Sequence, residues 1–257
     1  MEHAPNVPKH VTILGLGPSL AHYLDIVKRQ GNRRVLSDEV WGINAVGDVI
    51  KCDRIFHMDD VRIQQIRADE RPKSNIAQML KWLKEHSGPI YTSRLHPDYP
   101  GLVAFPLEQV INHLGYPYFN NTAAYAVAYA IHIGVKEISL FGIDFTWPDG
   151  HEAERGRGCV EYWLGHAHAR GIQIYPSGFS SLLDGLVPEA DRLYGYDTLN
   201  VDIREVAGVI KVEMTPKAEL PTAEAIEARY DHDKHPNRIV QAEREKTELE
   251  ELEQTGC

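Results

Sequence analysis

Chemistry in this chain of 257 residues gathers in short polar or glycine-bearing stretches that directly follow apolar runs. Val11-Thr-Ile-Leu14 breaks into Gly15-Leu-Gly-Pro-Ser19. Glycines at such a junction let backbone approach a ligand, and the N–H groups and dipole of a following helix favour an anion such as phosphate. Pro18 suits a first helical turn, where its missing N–H costs nothing. With Leu20 at the third glycine position and no lysine, the loop matches neither the dinucleotide fingerprint nor a P-loop, and a tight turn without ligand is the alternative. Asn44, Met58-Asp59-Asp60 and Gly142-Ile-Asp-Phe145, running into Pro148-Asp-Gly-His151, follow other apolar runs. Asp59 and Asp60 could hold Mg²⁺ through water or cap the next helix. Asp144 could face a ligand or cap backbone N–H groups in a turn. Asn120, Asn121 and Thr122 open an alanine-rich segment, where they can cap a helix or offer donors to a ligand.

The elements that must position these groups are legible in the hydrophobic pattern. β-branched runs bounded by turn residues predict strands at His10–Leu14, Glu39–Ile43, Arg54–His57, Pro89–Thr92, Gly101–Ala104, Glu137–Phe141 and Ile172–Tyr175. Helices are expected between them, at about Ser19–Gln30, Asp60–Ala68, Asn75–His86, Leu107–Leu114, Thr122–Ile133 and Glu152–Arg170. This alternation implies a doubly wound, mostly parallel α/β sheet, Rossmann-like and single-domain, over residues 1–184, with ligands beyond the carboxyl ends of the strands. The nearly all-apolar helix from Thr122 should pack closely on the sheet and end at Gly134. Past Asp184 the alternation fades, so residues 185–257 are read as an irregular segment with a short strand at Val209–Val212. Two helices, Thr222–Tyr230 and Asn237–Gln254, form a C-terminal appendage able to join copies of the chain into a homo-oligomer.

Composition bounds the function. At 43% hydrophobic and 25% charged residues, this is an ordinary globular chain. No apolar run is long enough to span a bilayer, and Met1-Glu-His-Ala-Pro-Asn6 lacks the order of a signal peptide, so a cytoplasmic location is expected. Cys52, Cys159 and Cys257 show no CxxC spacing and suggest neither a disulfide framework nor a cysteine zinc site. The net charge of −10 weighs against a nucleic-acid acceptor. His166 and His168 diverge on a helix and cannot share a metal. His132 is expected in the core or at a helix end, and Asp231-His-Asp-Lys-His235 reads as a charged linker.

Taken in order, Leu14-Gly-Leu-Gly-Pro-Ser19, Trp41-Gly-Ile-Asn44, Thr122, Gly134-Val-Lys-Glu-Ile-Ser-Leu-Phe-Gly-Ile-Asp-Phe145 and Gly150-His151 resemble the bacterial sialyltransferases that use a CMP-sugar donor. The set also resembles the hydroxymethyldihydropterin pyrophosphokinase-like and flagellin-glycosylation proteins, over about residues 8–184. The resemblance implies nucleotide contacts from Gly15, Gly17, Pro18, Ser19 and Asn44, a donor site lined by Asn121 and Thr122, and Gly142 and Asp144 against the nucleotide. It implies His151 as general base. Histidine suits that task because it accepts a proton near neutral pH with little perturbation; capping the helix at Glu152 is its other role. Leu16 stands where the family has Asn, and the family's phosphate-holding tyrosines have no counterpart in the short loop from Phe145 to Gly150, where Trp147 stands.

The expected function is therefore transfer of a sugar from a nucleotide-activated donor to an acceptor hydroxyl, with no cofactor or metal required. An ATP-dependent pyrophosphokinase, which would need Mg²⁺, and a non-catalytic nucleotide-binding module are the alternatives.

Overall fold

The computed structural model describes residues 7–145, 150–206, 209–219, 222, 224, 225 and 228. Contacts within the chain group it into two units, 1–194 and 195–257. In the first, β-branched runs form seven strands: β1 (His10–Leu14), β2 (Glu39–Ile43), β3 (Arg54–Phe56), β4 (Ile90–Thr92), β5 (Leu102–Ala104), β6 (Glu137–Phe141) and β7 (Gln173–Pro176). They pair in the order β5-β4-β3-β2-β1-β6-β7, every neighbour parallel. The chain thus builds outward from β1 to β5, crosses back, and continues on the other side of β1. Strand order reverses beside β1, where loops leaving neighbouring strands part and open a crevice at their carboxyl ends.

Helices cover both faces: α1 (Leu20–Gln30), α2 (Val46–Val49), α3 (Val61–Glu70), α4 (Asn75–Glu85), α5 (Leu107–Leu114), α6 (Thr122–Ile133) and α7 (Gly150–Ala169). On one face Val11, Ile13, Trp41, Phe56, Ile138 and Leu140 meet α6. Ala124, Ala126, Ala128 and Ala130 are fully buried there, because methyl side chains let the helix backbone come close to the sheet. On the other face Tyr23 of α1 packs on Leu14, Val40 and Phe141, while α3 and α4 cover Ile55 and Ile90. Hydrophobic burial on both faces is what lets a parallel sheet read as near-continuous apolar runs.

The seven expected strands are all present. The four-residue α2 was not expected; it is too short to carry a period. In the second unit, β8 (Leu199–Val206) and β9 (Val209–Pro216) form an antiparallel hairpin running in register from Leu199↔Pro216 to Val206↔Val209, where only a short strand at Val209–Val212 was expected. The expected C-terminal helices, the Asp231–His235 linker and Cys257 lie almost wholly outside the described residues. Among the described residues, no helix is long and apolar enough to cross a membrane.

Candidate functional site

At the strand-order reversal lies a cleft of about 450 Å³. The loop after β1 contributes Gly15, Gly17 and Pro18, the end of β2 contributes Asn44, and the start of α6 contributes Asn121 and Thr122. Gly142 and Asp144 come from the loop after β6. Ser19 lies just behind this lining, only 1% exposed. His151 is the second residue of α7; its side chain, like residues 146–149 with Trp147, is outside the described residues. Leu16, Ile43, Ala123, Ile143 and Phe145 complete the lining and make it largely apolar.

The two glycine-bearing loops are locked to each other. Gly15 N–H donates to Phe141 O and Gly17 N–H to Gly142 O, each at 2.8 Å. A Cβ on Gly15 would lie 2.2 Å from Gly142 O, and one on Gly142, whose φ is +70°, would lie 2.1 Å from Gly15 O. A Cβ on Gly17 would meet Asp144 Oδ2 at 2.6 Å. The space that glycine leaves open is thus filled by the neighbouring loop, so these glycines are required first for loop-to-loop packing.

Asp144 is the pin between them. Only 3% exposed, its carboxylate accepts from Ser19 N–H at 2.7 Å and from the Ser19 hydroxyl at 2.5 Å. The same hydroxyl accepts from Gly142 N–H at 2.7 Å. The next donors of α1 close on its own turn, Leu20 N–H to Gly17 O and Ala21 N–H to Pro18 O. A carboxylate from the protein therefore occupies the helix end at which the sequence suggested an external anion. Behind it, Ser180 Oγ donates to Ile143 O at 3.2 Å and Ser181 Oγ to Asp144 O. These serines follow β7, and a polar run directly after a strand is the signal that would have found them.

The start of α6 is arranged differently. Asn121 is its cap: Oδ1 accepts from Ala124 N–H at 3.0 Å, and Nδ2 donates to Asn120 Oδ1 and Gly156 O. Asn120 donates to Arg155 O at 2.9 Å, tying this end to α7. Thr122 N–H, Ala123 N–H and Thr122 Oγ1 have no partner among the described residues, although Thr122 and Ala123 line the cleft.

Asn44 is the site's second unsatisfied group. Its backbone is left-handed, φ +52°, and held by Asn44 N–H donating to Phe56 O at 2.8 Å. Its Oδ1 is buried without a hydrogen-bond partner among the described residues. Phe145, φ +47°, is a further left-handed residue of the lining. Non-glycine residues adopt this region at a cost of about 1–3 kcal/mol, and such strain gathers at ligand sites.

Asp60 caps α3, accepting from Arg62 N–H at 3.0 Å. Arg62 Nη2 sits 2.5 Å and Arg94 Nη1 3.6 Å from its Oδ2, and the bond to Arg62 pulls its carboxyl pKa down to about 2. That carboxylate is committed to guanidinium groups, which disfavours the Mg²⁺ role. Among the described residues, no group of three or more His, Cys, Asp or Glu could hold a metal ion.

No family model and no curated protein matches the chain. Among solved structures, the sialyltransferase CstII from Campylobacter jejuni in complex with cytidine-5'-monophosphate is similar at 19% identity, over 86% of this chain and 98% of that one, with a TM-score of 0.41. A mutant of alpha-2,3/8-sialyltransferase CstII aligns at 20% identity over 86% of this chain and 100% of its own, TM-score 0.43. The CstII complex with CMP-3FNeuAc aligns at 20% over 85% and 97%, TM-score 0.43. At such identities and TM-scores, the chemistry of the cleft has to be derived from this chain's own residues.

Proposed function

We propose that the cleft binds a nucleotide-activated sugar, of the CMP-sugar type, and that the protein transfers the sugar to an acceptor hydroxyl. Asn44 carries this reading. A buried amide oxygen without a partner among the described residues, on a residue that lines the cleft, forgoes about 1–3 kcal/mol that a ligand donor would restore once the amide turns toward it, and the exocyclic amine of cytosine is such a donor. The free N–H groups and hydroxyl at the start of α6 suit the nucleotide phosphate, which a helix N-terminus favours. Asp144 serves by pinning Ser19 and the glycine loop, so that both walls are preorganised before the ligand arrives.

In the transfer, the acceptor oxygen bonds to the anomeric carbon as that carbon's bond to the phosphate oxygen breaks. The bonding pair leaves with the nucleoside monophosphate, whose growing charge meets the Thr122–Ala123 donors. The acceptor's proton passes to His151, the proposed base, which follows the Gly142–Phe145 loop in the chain. Removing such a base typically costs about 10²–10⁴-fold in rate.

Calorimetric titration with CMP, UMP, AMP and GMP tests the reading, with release of CMP from a CMP-sugar to water as the activity that needs no known acceptor. CMP should bind most tightly, and Asn44→Ala should weaken it about tenfold. Failure of all four nucleotides to bind, or an Asn44→Ala variant with unchanged affinity, would overturn it. His151→Ala should keep CMP binding and lose transfer.

A further inference from the structure

The end of α6 remote from the cleft carries an arrangement that nucleotide chemistry does not use. His132, in the last turn of α6, lies ten residues beyond Thr122, about 15 Å along the helix. His113 occupies the last turn of α5. Their Nδ1 atoms share a hydrogen bond at 3.2 Å, one ring donating and the other accepting according to tautomer, with the rings 62° apart. Two imidazole nitrogens on one tetrahedral zinc ion, each at about 2.0–2.1 Å, are separated by about 3.3 Å. The spacing across this pair is therefore already that of a coordination edge.

We propose that His113 and His132 form a two-histidine site for a divalent transition-metal ion, with zinc as its natural occupant and water in the remaining positions. Zinc would exchange two of its waters for the two Nδ1 lone pairs, each ring then carrying its proton on Nε2. Two further features agree. His113 is exposed, so the ion has an entry path. Both helices end here, at Gly115 and Gly134, and carbonyl-rich helix ends favour a cation. His166 is near enough to interact with His113, yet its Nε2 is against Arg170, and among the described residues no group of three such side chains could hold a metal.

Titration of the tag-free full chain with Zn²⁺ by calorimetry, and with Co²⁺ by visible absorption, tests the site. One ion per chain should bind, and His113→Gln and His132→Gln should each weaken it at least about tenfold. His166→Gln should leave it unchanged. Zinc should raise the melting temperature of the parent and of His166→Gln, and not that of the other two, since only the folded pair presents both nitrogens. All three variants should melt with the parent when no metal is present. No zinc binding by the parent, binding that survives in both His113→Gln and His132→Gln, or loss of binding in His166→Gln would overturn the assignment.

Discussion

Two helices begin at the same cleft and treat charge in opposite ways. The first turn of α1 is closed from within, its donors spent on the Asp144 carboxylate and on carbonyls of its own loop. The first turn of α6 is capped only at its third N–H, by Asn121, and keeps two N–H groups and a hydroxyl without partners among the described residues. Both ends carry the dipole that attracts anions. What separates them is whether the fold has already supplied the anion. A glycine loop before a helix is thus no sign of a phosphate site unless the donors beyond it are unspent.

Substitutions on the two sides should separate just as clearly. Gly142→Ala has the largest expected effect, because its left-handed φ and the approach of Gly15 O leave a methyl group no room. Urea unfolding should show a loss of about 3 kcal/mol, and a variant of parental stability would break the picture of locked loops. Ser19→Ala should cost about 2 kcal/mol, since it leaves Gly142 N–H unpaired and removes one bond to buried Asp144.

His57, fully buried after β3 with Nε2 on Gln64 and Nδ1 without a partner among the described residues, extends the comparison to pH. Burial holds its folded-state pKa below the ordinary 6.5, against the opposing pull of Asp59 and Gln64. The unfolded chain then binds a proton that the folded chain refuses. Its contribution to stability is present above pH 6.5 and is lost as pH falls below that value toward the folded pKa, at no more than about 1.4 kcal/mol per pH unit. Unfolding measured from pH 7.5 to 5 should fall more steeply for the parent than for His57→Gln, and parallel curves would contradict this. Thr122→Ala has the smallest expected effect on the fold, within about 0.5 kcal/mol, while weakening CMP about fivefold. Loss of stability without loss of affinity would place Thr122 with the closed helix end instead.

The sheet was legible because its strands are short, mostly apolar runs that carry β-branched residues between turn residues, and loops leaving parallel strands share one edge. That edge brought Gly15, Asn44, Thr122 and Gly142 together. The state of the donors was not legible. Ser19 and Asp144 are 125 residues apart, and only the pairing of β1 with β6 makes them neighbours. The left-handed backbone of Asn44 likewise depends on its N–H reaching Phe56 O across the sheet. The first strand of the hairpin was missed, and its second expected only in part, although the sequence alternates, Leu199, Val201 and Ile203 against Asn200, Asp202 and Arg204; polar residues at every second position read as loop when no helix separates the strands.

A crystal structure with CMP bound in the cleft would test the difference between the two helix ends most directly. The expected result is a phosphate within about 3 Å of Thr122 N–H and Ala123 N–H, the cytosine amine on Asn44 Oδ1, and the Ser19–Asp144 pair intact. A phosphate seated on Ser19 N–H with Asp144 displaced, or a cleft left empty at saturating CMP, would contradict it.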